Sequence, residues 1–495
     1  MMVISEREIK KSYVVLKSMA QHKLEDGDIE AAMSYIHHCV VLAEQYNWIY
    51  EDDDLESMER KIGEIIISQK TKEYISNPNR VVVFDDFCLT YILVLQYILA
   101  LLKANKEVLF ISSRPIQKQQ NQDFFDYISN LNGLQIKHIV EPDIQVCIKK
   151  IYTSIVDFQP SFLFLQLYGT SPIIPVLYCL PKQIKSYLIN QADQRFWLGS
   201  RAIDYCIEFR PFGVSVSLER RGLKPEQLIM LPFYPIHDKN PFEGFPKETE
   251  GSIVVFSGGD IYKTLDSRRT YWHLIKRILD TYPKVCFLFA TKVNPLGKSF
   301  LDKFITENHF DGRFIHIDFR KDIYGVLKHC DIYMGTCPTS GSLMSQLAAI
   351  NATPILQYYY PGTTDDETEQ ALCINNQFPI SFQDEEAFMC EADKLITDAA
   401  YRKQQGERIQ AAMIQPEQFD AAVAQILMSN STSYQVKNIK VDYKQIDKRW
   451  YESERCGLNN TLSYVITLLN KNNLLKRVPS LYIKKQIRTL KNLFK

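Results

Sequence analysis

No stretch of this chain is apolar for long enough to cross a bilayer. The longest apolar run, Tyr91 to Leu102 (YILVLQYILALL), is about twelve residues, against the roughly 20 that a spanning helix needs. It reads as a buried helix, and no transmembrane span is expected. The opening residues, MMVISEREIKKSY, lack the apolar core of a signal peptide. CxxC pairs are missing as well. The eleven cysteines are scattered, and several sit inside apolar runs such as VCFLFA. That is the pattern of reduced core thiols, which disfavours a disulfide framework or a structural zinc site and favours the cytoplasm. Net charge is also absent, with 58 Lys and Arg against 58 Asp and Glu. The zero hides a segregation: after Glu454 there are nine basic residues and no acidic one, which leaves 49 basic against 58 acidic before it. An acidic body thus carries a basic end. No basic stripe with interleaved aromatics lies in the body, so a nucleic-acid partner is not expected.

What is present is ample core material. The chain has 495 residues, 46% hydrophobic and 12% aromatic, which excludes disorder and suggests two main domains plus additions. Residues 1–78 have helical periodicity. GDIEAAMSYIHHCVVLAEQY places Ile29, Ala32, Met33, Ile36, Val40 and Ala43 on one face, and DDDLESMERKIGEIIIS repeats the theme after an acidic turn. From Arg80 the texture changes. VVVFDD, EVLFISS, IKHIV and FLFLQLY are strand-like runs separated by helical ones, the pattern of a parallel sheet with both faces covered. This region, residues 79–240, ends in LPFYPIHDKNPFEGFPKETEG, rich in Pro, Gly and charge and the strongest linker signal in the chain. A second α/β region, 250–425, restarts at SIVVFSGGD and continues through VCFLFAT, RFIHIDF, DIYMGT and ATPILQY; residues 426–495 read as C-terminal helices with a basic tail. The expected class is α/β: two doubly wound domains, with ligand at the carboxyl ends of the strands.

Two strand ends carry anion-binding chemistry. In VVFSGGDIYK, Gly258 and Gly259 would let backbone amides approach a phosphate, and Lys263 adds a point charge. The pattern is not a Walker A loop. In DIYMGTCPTSGSLMSQLAAINATPIL, Thr339, Ser340 and Gly341 precede a helix, which offers hydroxyls, free amides and a helix N-terminus at one place. The bland alternatives are a tight turn with a surface lysine and a well-capped helix. Asp85 and Asp86 at the end of VVVFDD suit either the hydroxyls of a ligand or a helix cap. His138 reads as a core or edge histidine. The last helix, SLYIKKQIRTLKNLFK, lines up Ile483, Ile487, Leu490 and Phe494 among basic residues. It suits equally an anionic membrane surface and a closing helix docked on the N-terminal domain.

These segments resemble glycosyltransferases of the GT-B fold. VVFSGGDIYKTLDSRRTYWHLIKRILDTYPKVCFLF is similar to the donor domain of O-GlcNAc transferases and bacterial adhesin N-glucosyltransferases. INQADQRFWLGSRAIDYCIEFRPFG resembles a bacterial branch that reads NHADHxFWLG followed by DYxIEFR; YYYPGTTDDETEQALCINNQFPISF and YNWIYEDDDLE also fit that branch. The resemblance implies two facing Rossmann-like domains, acceptor side first and nucleotide-sugar side second, with N- and C-terminal helical additions. It implies that Lys263, Gly258, Gly259, Thr339, Ser340 and Gly341 meet the diphosphate of a nucleotide sugar, UDP being usual, and that Asp318 and Phe319 lie near the base. It implies no metal and no other cofactor, because lysine and helix dipole offset the leaving-group charge.

The chain departs from the branch where Gln191 and Gln194 replace two histidines. Glutamine hydrogen-bonds but does not exchange protons near neutral pH. Gln191 and Asp193 are the candidate catalytic residues that remain. Three explanations stay open: base duties moved elsewhere, a mechanism with no protein base, or lost activity. The expected function is transfer of a hexose or N-acetylhexosamine to a glycan or protein acceptor, in the cytoplasm or at the inner face of the membrane. The alternatives are a catalytically silent partner subunit or glycan-binding module and, with thinner support, a nucleotide-sugar epimerase or hydrolase.

Overall fold

The computed structural model describes residues 4–68, 73–86, 91–115, 119–167, 169–234, 236, 240–359, 367–372, 378–448 and 461–493. The chain divides into two compact units: residues 1–231 with 420–439 and 460–495, and residues 232–419 with 440–459. The N-terminal helices therefore belong to the same unit as the first sheet, and the C-terminal part is shared between the units rather than standing apart. The division at Leu231 and Pro232 falls where the linker composition begins.

The first unit opens with three helices, α1 (Glu6–Glu25), α2 (Ile29–Tyr46) and α3 (Asp53–Ile66). Ser5, Asp28 and Asp52 cap their N-termini by accepting backbone N–H groups, the ordinary way to satisfy a helix's first orphan donors. Behind them lies a sheet whose described strands are β1 (Asn77–Asp85), β2 (Glu107–Ser112), β3 (Leu134–His138), β4 (Pro160–Gln166), β5 (Lys185–Asn190), β6 (Tyr205–Glu208) and β7 (Leu228–Met230). Their order is β3-β2-β1-β4-β5-β6-β7, and every pairing is parallel. Val81, Val82, Val83 and Phe84 of β1 are fully buried, because both faces of a parallel sheet are covered. The apolar run beginning at Tyr91 forms the helix Tyr91–Lys103, and Val94, Tyr97, Ile98 and Leu101 are buried. His138 sits exposed on the edge strand β3, its Nε2 2.6 Å from the Arg114 carbonyl.

The second unit repeats the plan. Its described strands are β8 (Ile253–Gly258), β9 (Val285–Ala290), β10 (Phe314–Ile317), β11 (Ile332–Met334), β12 (Ile355–Tyr358) and β13 (Ser381–Phe382). They are all parallel, in the order β10-β9-β8-β11-β12-β13. On one face, Trp272 from the helix Thr270–Thr281 packs edge-on against Phe300 and Phe304 at ring separations of 4.9 and 5.1 Å. Tyr271 beside it is buried and donates to Ser257 Oγ at 2.6 Å, which ties the helix to the end of β8.

Strand order reverses once in each sheet, between β1 and β4 and between β8 and β11. At such a switch point neighbouring loops leave in opposite directions and open a crevice at the carboxyl ends of the strands. Asp86 follows β1; Gly259 follows β8 and Gly335 follows β11. The acidic and the glycine-rich candidates thus occupy equivalent positions in the two units.

Candidate functional site

The crevice of the second unit gathers the two candidate anion-binding segments. Gly259 has φ +143°, a conformation open to glycine and strained for other residues. A Cβ there would lie 3.7 Å from Lys263 Cδ and 3.8 Å from Thr336 Cγ2. The loop after β11 is strapped to the turn after β8, with the Thr339 N–H donating to the Lys263 carbonyl at 3.2 Å. It is also braced from β12, where Gln357 Nε2 donates to the Thr336 carbonyl at 3.0 Å. Thr336 Oγ1 closes the turn by donating to the Thr339 carbonyl at 2.7 Å.

This loop leads into the helix Ser342–Ile350 through Gly341. No side chain caps that N-terminus, as is also the case for the helices Pro211–Glu219 and Thr270–Thr281. The Lys263 ammonium lies 3.8 Å from where a Gly341 Cβ would be. Two electropositive groups, an ammonium and the positive end of a helix, therefore converge on one point. Positive potential of this kind is what attracts an anion. Lys263, Ser340 and Gly341 are partly exposed and Thr339 is buried. Gly258, Gly259, Lys263, Thr339, Ser340 and Gly341 are thus brought together.

Asp318 and Phe319 follow β10, two strands from β8 on the same edge of the sheet. Phe319 is 51% exposed, an unusual place for a large apolar ring, and Lys292 Nζ lies 5.2 Å from its centroid. The segment after the second anion site is described only in part. Glu369 is buried and accepts from the Ile380 and Ser381 amides at 2.9 and 2.7 Å, a structural brace. Residues 360–366 and 373–377 lie outside the described residues.

In NQADQRFWLG a polar cluster runs straight into a Phe-Trp pair, a composition that suits the wall of a site, and the structure builds it differently. Phe196, Trp197 and Leu198 are buried and do not form an exposed wall. Asp193 is fully buried and held in a two-pronged ion pair, with Arg210 Nε 2.6 Å from Oδ2 and Nη2 2.9 Å from Oδ1. Arg221, also fully buried, donates from Nη2 to the carbonyls of Asp193 and Arg195, both at 2.6 Å. Its guanidinium stacks over Trp197 at 5.1 Å. Glu56 of α3 reaches across to accept from the amides of Gly199 and Ser200 at 2.8 and 3.1 Å, and the hydroxyl of Tyr178 donates to the same carboxylate. Burial raises the Glu56 carboxyl above its ordinary value, and these hydrogen bonds oppose the rise. Asn190 Nδ2 donates to Glu208 Oε1 at 2.9 Å. A Cβ on Gly213 would meet Glu208 Oε2 far inside contact distance, so glycine is required for the helix Pro211–Glu219 to approach this close.

The polar residues of NQADQRFWLG and IEFRPFG, with Arg221, therefore form one buried polar network. Asp193 has no exposed face from which to reach a substrate. Gln191 is half-buried next to the switch point, and its Oε1 accepts from Gln166 Nε2 at 3.1 Å. Of the two acids after β1, Asp85 is fully buried, while Asp86 accepts from Arg114 Nε at 2.8 Å and Ser113 Oγ at 3.0 Å. Residues 87–90, where a helix cap would be judged, lie outside the described residues. Glu56, Arg210 and Arg221 escaped the motif reading because their partners lie 17 to 144 residues away. Glu56 and Glu59 did leave a signal, since they sit among the buried positions Leu55, Met58, Ile62 and Ile66 of an amphipathic helix.

No family model and no curated protein sequence matches the chain. Solved structures do. An O-GlcNAc transferase mutant of Thermobaculum terrenum aligns over 89% of this chain and 83% of its own, with 13% identity and a TM-score of 0.52. The HepE protein of Anabaena, in complex with UDP and glucose, aligns over 71% of this chain and 99% of its own, with 12% identity and a TM-score of 0.53. A Listeria monocytogenes protein described as a putative UDP-N-acetylglucosamine 2-epimerase aligns over 73% and 100%, with 10% identity and a TM-score of 0.50. At these identities the likeness establishes the fold, which is GT-B.

Proposed function

We propose that this chain is a GT-B glycosyltransferase that moves a hexose or N-acetylhexosamine from a nucleotide sugar to a glycan or protein acceptor. The observation that carries the reading is the convergence of Lys263 with the uncapped N-terminus of the helix Ser342–Ile350 at the switch point of the second unit. A diphosphate completes that pair of positive groups. Once the bond from sugar to phosphate breaks, the same groups offset the charge left on the phosphate, so no metal is required. Phe319 is the proposed platform for the base, with Asp318 beside it. UDP is the proposed nucleotide, the molecule bound by the HepE neighbour.

Asp193 enters this reading as a positioning residue, because Arg210 occupies both of its oxygens. Gln191 is the proposed hydrogen-bonding group for a sugar hydroxyl. In the absence of a protein base there, the acceptor proton goes to the departing phosphate oxygen as the new glycosidic bond forms. Calorimetric titration with UDP, GDP and their sugar conjugates tests the reading. Micromolar binding of one nucleotide is expected, and failure of all of them to bind removes the donor site. Binding without sugar transfer would favour the silent glycan-binding alternative, which the locked Asp193 already supports.

The basic C-terminal helix supports a peripheral membrane role for the same enzyme. In Pro479–Leu493, Leu481 is buried and Lys484 Nζ pairs with Glu8 at 2.6 Å, so one edge docks within the first unit. Ile483 and Ile487, one turn apart, are 56% and 40% exposed beside Lys484 and Lys485. No described helix is long and apolar enough to cross a membrane, so any contact would be at the surface. The double variant Ile483→Ser with Ile487→Ser is expected to weaken co-sedimentation with anionic vesicles roughly tenfold or more, given about 1.5–3 kcal/mol for each buried aliphatic side chain. Unchanged partitioning leaves the helix a docking element alone.

A further inference from the structure

The first unit has its own crevice, and its contents differ from those of the second. A cavity of about 380 Å³ opens at the switch point between β1 and β4, roofed by α2 and α3. That lies within the usual range of roughly 300–1,000 Å³ for small-molecule sites. Its polar lining includes His37, Glu59, Asp86, Ser113, Arg114 and Thr170, and its apolar lining includes Met33, Ile144 and Pro172. Glu59 is only 1% exposed, and its Oε2 has no hydrogen-bond partner. An orphaned carboxyl oxygen at that depth is costly unless a ligand or water meets it. Several other polar groups are pre-set around it. Asp86 is held by Arg114 and Ser113, and His37 Nδ1 lies 2.9 Å from Thr170 Oγ1.

The charge balance selects the ligand. Arg114, the arginine of the lining, is engaged by Asp86, which leaves little cationic capacity for a phosphate. Glu141 is paired with Lys150 at 2.5 Å. Burial, together with the neighbouring Glu56, pushes the Glu59 carboxyl up to about 8, so at neutral pH it is protonated and both donates and accepts. The inner end is therefore close to neutral and carries donors and acceptors over an apolar floor. Asp86 Oδ2 adds a second unpartnered acceptor and the Glu30 carboxylate stands at the exposed mouth, while the arginine is already engaged; this acceptor-rich lining over an apolar floor matches a ring whose hydroxyls point outward and whose C–H face is apolar.

We infer that this cavity, walled by α2, α3 and the ends of β1 and β2, binds a neutral, hydroxyl-rich pyranose unit, with Glu59 as its central hydrogen-bonding group. It rests on the glycosyltransferase reading only in making that sugar the acceptor; the binding itself lies in a different unit from the diphosphate turn. A protein acceptor with no glycan would not need it.

The test uses the full chain and three probes, the methyl glycosides of glucose, galactose and N-acetylglucosamine, followed by saturation-transfer NMR with and without saturating UDP. At least one probe is expected to show transfer that persists with UDP. The transfer should fall roughly tenfold in affinity in Ser34→Trp, which fills the mouth from an exposed position of α2, and in Glu59→Leu. UDP binding should be unchanged in both. If Glu59→Leu does not fold, Ser34→Trp decides alone. No transfer from any probe, displacement of the probe by UDP, or wild-type binding in Ser34→Trp each overturns the assignment. Sugar binding in a protein that ignores UDP would sink the donor-site reading and leave this one standing.

Discussion

Asp193→Ala should lower the unfolding free energy of the first unit by about 3–5 kcal/mol, the usual cost of removing one partner of a buried ion pair. The carboxylate is fully buried, Arg210 is 3% exposed, and both of the carboxylate oxygens are within 2.9 Å of guanidinium nitrogens. Truncation leaves the guanidinium charge in a place with little water to solvate it. The damage should spread, because Arg221 holds the same loop through the Asp193 and Arg195 carbonyls. Urea unfolding checks this through the midpoint at constant slope. Arg210→Met alone should cost a similar amount, while Asp193→Ala combined with Arg210→Met should cost less than the sum, since no lone charge remains. A loss of under about 1 kcal/mol from Asp193→Ala, with sugar transfer abolished, would reverse the assignment and return Asp193 to the chemistry.

Lys263→Ala should leave stability almost unchanged and weaken UDP binding tenfold or more, on the order of the 1.5–3 kcal/mol of a charge-assisted hydrogen bond. Lys263 is half-buried at the surface of the crevice, so no core is opened by its removal. Its ammonium is nonetheless one of two positive groups aimed at the same point, the other being the helix that begins after Gly341. The affinity of the wild type should fall with added salt, and more steeply than that of the variant, because the variant keeps only the helix contribution. Calorimetry at two ionic strengths measures both effects. Equal affinity in wild type and variant would place the nucleotide elsewhere in the chain.

The two predictions separate what the motif segments do. VVFSGGDIYK and the TSG turn look like ligand-binding elements in the sequence, and the structure brings them to one point. NQADQRFWLG looks like a site wall, yet its aromatic residues are core and its acid is an internal tie. Polar residues packed against Phe and Trp look alike whether they face water or an arginine, so composition did not distinguish the two. The glutamine at 191 is less puzzling in this setting. Its side chain bonds to Gln166 beside the crevice, a role that needs hydrogen bonds and not proton exchange. At 194 the bond from Asn47 is to the backbone carbonyl and is indifferent to the side chain.

The sequence by itself determined the class of the fold, the alternation of strands and helices, the switch from helical to α/β texture near Arg80 and the two glycine-bearing strand ends. These are local properties: side-chain periodicity, β-branching and turn chemistry act within a few residues. The tertiary structure alone decided which polar groups are satisfied and by what. Glu56 reaches Gly199, Arg210 holds Asp193 and the roof over Asp86 comes from α2 and α3. Such pairings link positions far apart in the chain, and no local pattern encodes them, because burial and hydrogen bonding depend on which surfaces meet once the strands are ordered.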